Sequence, residues 1–421
     1  MNVTLDAFVD RAQLRQVTTL FTVAPDDPPH VRRGKRALAV LLTIALLGAV
    51  GAVTALLHGH HAMGTTSELP WGVLIATYVF FVVSSTGLCL VSSLGHVFGF
   101  KVFEPIAKKA IFLALVTLTV GFSVIATELE RPFLLAKLAI LSPNPRAPIW
   151  WMGALYGVYM VLIATELFFL FTEEHRKAKV VGAMSVVAAL AAHSNLGAVF
   201  GLSHARPVWY GPLLPIYFIA SALMCGAALI ILLVWLGDYF GNGKQVRPEN
   251  VPLLNALRQL LALFIGIVAF FTIWKLITGV NGGHYHKYEV TMASLAGPMF
   301  FSFWVFETFL GLVAPLTILF TSARRSFGAL ALAAALPMIA VFVMRYNFVL
   351  SGQMFSLKPV HGHLGETFAY QPPFKGSVEG FLSYTPSMTE VLIVVGAIAA
   401  SILLYVGGTK ILRLNPEARH V

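Results

Sequence analysis

Ten long apolar runs decide what this sequence can fold into. Each is close to or above the roughly 17–25 helical residues that cross the hydrocarbon core of a bilayer. Of the 421 residues, 57% are hydrophobic and 11% are charged, whereas a soluble domain carries roughly 25% charged residues. The sequence therefore predicts an all-α integral membrane protein without a large soluble domain. The predicted spans are 37–57, 71–94, 110–127, 150–171, 180–200, 213–236, 257–277, 294–320, 327–348 and 389–412.

The spans divide the protein into one membrane domain and two short tails. Residues 1–36 form a polar N-terminal tail, residues 37–412 form the membrane domain, and residues 413–421 form a C-terminal tail. Within the membrane domain, the long segment 349–388 is predicted to be a loop on the outer side of the membrane.

A loose internal repeat indicates how the spans group. Glu166 and then His193 occur on spans 4 and 5, and Glu307 and then Arg345 occur on spans 8 and 9. Duplicated helix bundles are common in transport folds. We therefore expect two four-helix bundles, flanked by spans 1 and 10. The first bundle covers about 71–200 and the second about 213–348.

Lysine and arginine residues set the expected orientation. Eighteen basic residues flank the spans on one side, and seven flank them on the other. Cytoplasmic flanks are enriched in basic residues, so both termini are expected in the cytoplasm of a bacterium, with the spans in its inner membrane. The histidines at 58–61 and at 284–286 then fall on the outer side. The net charge of +10 follows from this distribution and does not indicate nucleic-acid binding.

The cysteines and histidines do not have the spacing of a metal or haem site. Cys89 and Cys225 lie inside apolar runs, away from any CxxC or Cys/His pattern, so no iron–sulfur cluster is expected in this protein. Bis-histidine haem needs histidines that face each other across spans. His96 and His193 are expected at different depths, so neither haem nor another metal centre is predicted.

Ionisable residues inside the spans are the first candidates for function, because a charge at the bilayer centre costs roughly 2.5–3.5 kcal/mol on insertion scales. They offer two interpretations: a proton path across the membrane, or paired groups that stabilise the fold. The residues concerned are Glu166, Glu307, Lys275, Arg345 and His96.

An acidic turn lies at the outer end of the third span. Glu128 and Arg131 are three residues apart, the spacing of side chains on one helix face. Pro132 biases Arg131 out of the helix, so a helix end is expected here. Arg131 is expected to hold the Glu128 carboxylate by charge-assisted hydrogen bonds. A salt bridge that only pins an interfacial turn is the alternative.

The fifth span carries the polar run His193-Ser194-Asn195-Leu-Gly197. Histidine supplies a protonatable hydrogen-bonding group, and glycine permits close approach to the backbone. A quinone headgroup needs such a group at its carbonyl oxygens. A histidine bonded to a neighbouring helix is the alternative.

Taken in order, these segments resemble the NrfD/PsrC-like family of polysulfide reductase membrane subunits, in particular its long ten-helix HybB-like branch. The resemblance extends over nearly the whole sequence from about residue 37. One departure is that Glu128 stands where the family usually has Asp, which makes the side chain one methylene longer. The resemblance rests on Pro70-Trp71-Gly72, Glu128-Leu-Glu-Arg131-Pro132, the Glu166 span, His193 to Gly197, the Phe-Trp-x-Phe-Glu307 span, Arg345-Tyr-Asn, and Tyr384-Thr-Pro386 before Glu390.

The resemblance implies a membrane anchor subunit that reacts with menaquinone or ubiquinone and holds no redox cofactor of its own. It implies a ferredoxin-like iron–sulfur partner, which serves a molybdopterin oxidoreductase or a hydrogenase, or else a multihaem cytochrome partner. We expect the quinone pocket near the outer surface, with His193 and Glu128 exchanging protons. Its expected lining is His193, Ser194, Asn195, Gly197, Glu128, Arg131 and Trp71.

Two further functions stay open at this point. Redox-driven proton translocation would use the path of ionisable groups described above. A secondary solute transporter with a site between the helix bundles is the alternative from another class, because transporters often carry duplicated bundles.

Overall fold

The computed structural model confirms an all-α membrane protein. It describes residues 21–24, 27–129, 131–241, 245–282, 287–355, 360–361, 367–368 and 381–414. Within these residues, ten helical segments are long and apolar enough to cross a membrane. The histidines at 284 and 286 and most of the predicted outer loop lie outside the described residues, as does nearly all of the C-terminal tail.

The membrane-spanning helices follow the apolar runs. They are α1 (Pro29–His58), α2 (Val73–His96), α3 (Ala107–Glu128), α5 (Pro148–Phe171), α6 (His175–Gly201), α7 (Leu213–Gly241), α8 (Val251–Asn281), α10 (Ser302–Val313) continued by α11 (Ala314–Phe320), α12 (Phe327–Ser351) and α13 (Met388–Ile411). Shorter elements join them: α4 (Pro132–Leu141), α9 (Lys287–Ala296), 3₁₀ turns at Gly59–Ala62, Lys101–Ile106, Pro248–Asn250 and Ser322–Arg324, and an antiparallel pair of strands, β1 (Val360–His361) and β2 (Thr367–Phe368).

The predicted span 294–320 is broken in the structure. Helix α9 ends at Ala296, and α10 begins six residues later, beyond Gly297 and Pro298. Proline has no amide hydrogen to continue a helix ladder, and glycine weakens one, so this pair separates two helices. Helix α10 is a π-helix, a form that is rare and frequent at functional sites.

Helices α2 and α7 form the centre of the protein. Of the most apolar stretch of α2, 89% is buried inside the protein. The two helices meet where Gly87 faces Gly226, and a Cβ atom at Gly87 would lie 1.9 Å from the carbonyl oxygen of Ala222. Small residues permit this close backbone contact, which drives helix association in lipid.

The other helices pack around this pair. Helix α2 also contacts α3, α6 and α12, and α7 also contacts α6, α8 and α12. Helices α5 and α6 pack along each other, and so do α10 and α12. The division into two separate four-helix bundles stays a prediction.

Helices α1 and α13 flank the others and pack mainly on each other. Their crossing point is Gly48 against Gly396, where an added Cβ atom would lie 2.4 Å from the opposing Cα atom. Helix α13 also packs on α3. The C-terminal end of α1 is thereby placed beside the C-terminal end of α3, where the candidate site lies.

Candidate functional site

Glu128 is the last residue of α3, and its side chain is buried. Neither carboxylate oxygen has a hydrogen-bond partner among the described residues. Burying a polar group without a partner is costly, and an unsatisfied group of this kind is rare in folded proteins. The carboxylate lines a cavity of about 220 Å³ whose walls are Ala55, Leu56, Leu57, His58, Gly59, His60, Met63, Thr127 and Leu129.

The predicted hydrogen bonds from Arg131 to Glu128 are wrong. Helix α3 ends at Glu128, and the next residue, Leu129, is extended with ψ 126°. The spacing of three residues therefore no longer places the two side chains on one helix face. Arg131 is exposed on the surface of the turn, and the Glu128 oxygens remain without partners among the described residues.

A second carboxylate, Glu390, lies near Glu128 and is fully engaged. Its oxygens accept hydrogen bonds from the amide of Gly64 (2.7 Å), the amide of Ser387 (2.8 Å) and the hydroxyl of Tyr384 (2.5 Å). Tyr384 in turn accepts a hydrogen bond from the amide of Val73 (2.9 Å). Burial raises the pKa of the Tyr384 hydroxyl above its ordinary value, and the bond to Glu390 raises it further, so Tyr384 remains a neutral donor. Glu390 thus ties α13 to the start of α2 and to the segment before it.

His193 is completely buried in α6, between α5 and α7. Its Nε2 atom lies 3.2 Å from the carbonyl oxygen of Phe218, and its Nδ1 atom lies 3.0 Å from the hydroxyl of Tyr156. A carbonyl oxygen only accepts, so Nε2 carries a hydrogen. In the neutral imidazole, Nδ1 then accepts a hydrogen bond from Tyr156. The ring is thereby held in one tautomer by two neighbouring helices.

The hydrogen bonds continue from His193 to Arg345. Ser221 donates to the same carbonyl oxygen of Phe218 (2.8 Å), and Arg345 donates to the hydroxyl of Ser221. The guanidinium group lies 4.0 Å from the centre of the Phe218 ring, in a cation–π contact. Arg345 is fully buried, and its Nε and Nη1 atoms have no partner among the described residues.

The predicted proton-path residues fall into two groups. His96 and Glu166 are brought together, with 2.7 Å between Nε2 and a carboxylate oxygen. Glu307 lies in the π-helix α10 and accepts a hydrogen bond from Asn347 (2.5 Å), on the same helix as Arg345. Lys275 is exposed on α8 and joins neither group by a described hydrogen bond.

The remaining predicted pocket residues stabilise helix packing. Trp71 stacks on Trp209, with 5.2 Å between ring centres. Asn195 donates to the carbonyl oxygen of Pro148 (2.9 Å) and so ties α6 to the start of α5. A Cβ atom at Gly197 would lie 2.6 Å from the Cα atom of Pro215, so the close approach predicted at this glycine is that of α7. Ser194 is half-buried.

Residues 61–357, about 70% of the sequence, match the family described as Polysulphide reductase, NrfD. The protein belongs to this family. It is 26% identical over 411 residues to a subunit of selenate reductase from Mesobacillus selenatarsenatis, and the match spans 87% of this protein and 91% of that one.

Two other relatives have related descriptions. The Hdr-like menaquinol oxidoreductase integral membrane subunit of Archaeoglobus fulgidus is 25% identical, over 90% of this protein and 94% of its own length. A subunit of polysulfide reductase from Wolinella succinogenes is 23% identical, over 60% of this protein and 83% of its own length. The family and these relatives support a membrane subunit of a respiratory oxidoreductase complex.

In this NrfD-family protein, no described contact joins His193 to Glu128. At 1.5 Å per residue, Tyr78 lies about 7.5 Å from the start of α2, Tyr156 about 12 Å from the start of α5 and His193 about 12 Å from the end of α6. The ring of Phe122 packs between those of Tyr78 and Tyr156, with ring centres at 5.8 and 6.1 Å. The rings of Tyr78, Phe122 and Tyr156 therefore form a row that ends at His193.

Sequence analysis did not identify the two tyrosines of this row as candidate site residues. Tyr78 and Tyr156 stand alone in apolar runs, where a tyrosine is an ordinary interfacial or core residue. The residue type was the only hint, because a tyrosine buried in an apolar span usually needs a hydrogen-bond partner for its hydroxyl. The hydroxyl of Tyr78 has none among the described residues.

Proposed function

We propose that this protein is the quinone-reactive membrane subunit of a respiratory oxidoreductase complex of the bacterial inner membrane. The observation that carries the proposal is the Glu128 carboxylate, buried at the edge of a cavity with both oxygens unpartnered among the described residues. A quinol hydroxyl would donate the hydrogen bond that this carboxylate does not receive from the described residues. The description of one relative as a menaquinol oxidoreductase subunit agrees with this assignment.

The cavity suits the headgroup of a menaquinone or ubiquinone. Its volume of about 220 Å³ is below the roughly 300–1,000 Å³ of pockets that enclose a whole drug-sized ligand. A single ring system therefore fits inside, while the isoprenoid tail extends into lipid. Helix α1 forms one wall, and only 17% of its most apolar stretch is buried inside the protein, so the site adjoins the lipid.

Oxidation of a quinol to a quinone releases two protons and two electrons. We assign Glu128 to accept the proton of one hydroxyl, because general bases act on groups within hydrogen-bond reach. The exposed histidines His58 and His60 at the rim of the cavity connect it to water. Quinone reduction uses the same groups in reverse, and these residues do not fix the direction.

His193 is assigned to the second proton. Tyr156 contacts His193 directly, and Tyr78 lies one ring further along, across Phe122. We propose that a proton reaches His193 by way of these tyrosines. The neutral imidazole accepts from Tyr156 at Nδ1, so a proton delivered along the tyrosine hydroxyls would be received there. Arg345 then acts as a positioning residue, since it reaches His193 through Ser221 and the Phe218 carbonyl.

The two electrons released by the quinol pass to a partner subunit. We propose a ferredoxin-like iron–sulfur subunit that docks on the outer face above the cavity and serves a catalytic subunit. A molybdopterin oxidoreductase, a hydrogenase or a multihaem assembly fits this role. Membership in the NrfD family favours this function over the solute transporter considered above.

The test is quinol turnover by the assembled complex carrying Glu128→Gln. Glutamine keeps the size of the side chain and removes the base, so turnover should fall at least about 100-fold. His193→Ala should also abolish quinol-linked electron transfer. Both variants should keep the activity of the catalytic partner with a soluble dye. Glu104→Gln, an exposed carboxylate at the opposite end of α3, is the matched control. Wild-type quinol turnover in Glu128→Gln would contradict the proposal.

Proton translocation is a second proposed function, favoured by a row of buried polar groups. Below Tyr156, the hydroxyl of Tyr159 lies 3.2 Å from the hydroxyl of Ser85. Cys89 lies beside Tyr159 and within electrostatic reach of Glu166, which pairs with His96 at the far end of α2. Glu166→Gln should lower the number of protons moved per electron in vesicles, with quinol turnover retained. An unchanged ratio would contradict this route.

A further inference from the structure

A second cavity lies at the opposite end of the protein from Glu128, on the basic side of the membrane domain. Its volume is about 610 Å³, and it lies between α8 and the end of α11. Its lining is Arg258, Gln259, Ala262, Leu263, Gly266, Ile267, Phe270, Phe320 and Arg324. Only 28% of the most apolar stretch of α8 is buried inside the protein, so the cavity is open to lipid.

The cavity is polar at one end and apolar along its length. Arg258 and Arg324 stand at the end that the basic-residue count assigns to the cytoplasm. From Arg258 to Phe270 the lining follows one face of α8 over 12 residues, about 18 Å at 1.5 Å per residue. One leaflet contributes about 15 Å of the roughly 30 Å hydrocarbon core. The groove therefore matches the depth of one leaflet.

Both arginines are available to an anion. Neither forms an ion pair with a described carboxylate, and the Nε atom of Arg258 is buried without a partner among the described residues. The Nη1 atom of Arg258 makes only a long contact, 3.4 Å, with the carbonyl oxygen of Leu319. A carbonyl oxygen carries no net charge, so this contact leaves the guanidinium charge of Arg258 in place. Arginine pairs well with phosphate because its planar donors match two oxygens at once.

We infer that this cavity is a binding site for one anionic phospholipid. The phosphate lies between Arg258 and Arg324, and an acyl chain follows the α8 groove past Gly266. A basic pocket between helices, followed by an apolar groove of leaflet depth, is the arrangement that recognises such a headgroup.

The first experiment measures the phospholipid that the full-length protein retains after purification in a neutral detergent, with mass spectrometry as the readout. Removing both arginines, in Arg258→Gln with Arg324→Gln, should weaken retention of phosphatidylglycerol or cardiolipin by about fivefold for each arginine. Arg325→Gln is the matched control, since this neighbouring exposed arginine does not line the cavity. Equal loss in the control, or full retention in the double variant, would overturn the site.

A second variant tests the acyl groove with the charges intact. A Cβ atom at Gly266 would meet nothing within 4 Å, so Gly266→Phe should fold and should block the groove. Gly153→Phe is its control, because Gly153 has the same free space on the exposed face of α5. Loss of bound lipid in Gly266→Phe alone supports the groove. Unchanged lipid in both variants would overturn it.

The last arm separates a lipid from a free anion. Thermal stability of the delipidated protein should rise in vesicles of phosphatidylglycerol and phosphatidylcholine, relative to phosphatidylcholine alone. The double arginine variant should lose this rise. An equal rise of the wild type with inorganic phosphate would assign the site to a free anion. A polypeptide crosslinked into the groove of the assembled complex would assign it to a partner subunit, and either result would overturn the lipid site.

Discussion

Glu128 and Glu390 are two buried carboxylates near the same end of the membrane domain, and they differ in how they are satisfied. Glu390 accepts three hydrogen bonds and joins three parts of the protein. Glu128 accepts none from the described residues and faces a cavity. Buried polar groups are nearly always bonded, so the two glutamates cannot serve the same purpose. Glu390 ties parts of the fold together, whereas Glu128 is the one that we propose for a ligand.

Glu166 lies between these extremes. One of its oxygens contacts His96 at 2.7 Å, and the other has no partner among the described residues. The number of hydrogen bonds on each carboxylate therefore ranks the three by structural importance. The ranking predicts that the glutamate whose substitution costs most stability affects quinol turnover least, and the reverse. Both orders can be measured.

The largest expected loss of stability is that of Glu390→Ala. The change leaves the amides of Gly64 and Ser387 and the hydroxyl of Tyr384 without their acceptor, and bonds to a charged group contribute about 1.5–3 kcal/mol each. We expect a loss of at least about 3 kcal/mol. Thermal unfolding in detergent can be followed with a thiol-reactive dye, because Cys89 and Cys225 are buried.

Tyr384→Phe sharpens this result, since it removes only one of the three donors to Glu390. Its loss should be about a third to a half of that of Glu390→Ala. A stability equal to wild type in Glu390→Ala would mean that the network does not hold α13 in place.

Glu166→Gln should have a smaller effect, about 1 kcal/mol. The glutamine carbonyl still accepts from His96, so only the charge-assisted part of one hydrogen bond is lost. The same dye assay measures it, with Glu173→Gln as the control at an exposed carboxylate just beyond the end of α5. A loss as large as that of Glu390→Ala would place Glu166 among the structural groups and remove it from the proton route.

Glu128→Gln should leave stability within about 0.5 kcal/mol of wild type, or raise it. No described hydrogen bond is lost, and an uncompensated buried carboxylate is replaced by a neutral amide. The unfolding midpoint should therefore stay unchanged in the glutamate variant whose quinol turnover falls most. If the midpoint drops as it does in Glu390→Ala, Glu128 has a structural partner and the comparison fails.

The smallest effect is expected for Arg131→Gln. Arg131 is exposed and does not contact Glu128, so quinol turnover should change by less than about twofold. Turnover measured beside Glu128→Gln gives the contrast directly. A loss of turnover comparable to that of Glu128→Gln would instead support the salt bridge between Arg131 and Glu128 that was predicted from the sequence.

Most of the fold was predictable because lipid imposes a simple rule on length and polarity. Every predicted span overlaps a membrane-spanning helix, and the errors lie at helix ends. Helix α1 begins at Pro29, eight residues before the predicted start, because its first turns are polar and lie outside the apolar run. Proline at the first helical position is compatible with a helix start. The break between α9 and α10 was missed because the apolar run continues across Gly297 and Pro298.

The candidate site was predictable in its residues but not in its contacts. Glu128 and His193 were identified as buried ionisable groups, which is a matter of composition. The Arg131 bond was wrong because helical spacing stops applying one residue beyond Glu128. Most walls of the cavity come from the end of α1 and the turn after it, more than 60 residues away in the sequence, and no local pattern reports such a contact. In contrast, Ser387 and Glu390 form a capping box, a signature that is readable from sequence.

The crossing of Gly48 and Gly396 has a consequence for biogenesis. Helix α1 is among the first segments made, and α13, the helix on which it mainly packs, emerges about 330 residues later. At roughly 5–20 residues per second, α1 waits in the membrane for tens of seconds before its partner arrives. The part of the cavity wall that α1 contributes therefore gains its main packing partner only near the end of synthesis. A nascent polypeptide without α13 already carries Glu128 and every residue that lines its cavity, but it lacks the helix on which α1 mainly packs.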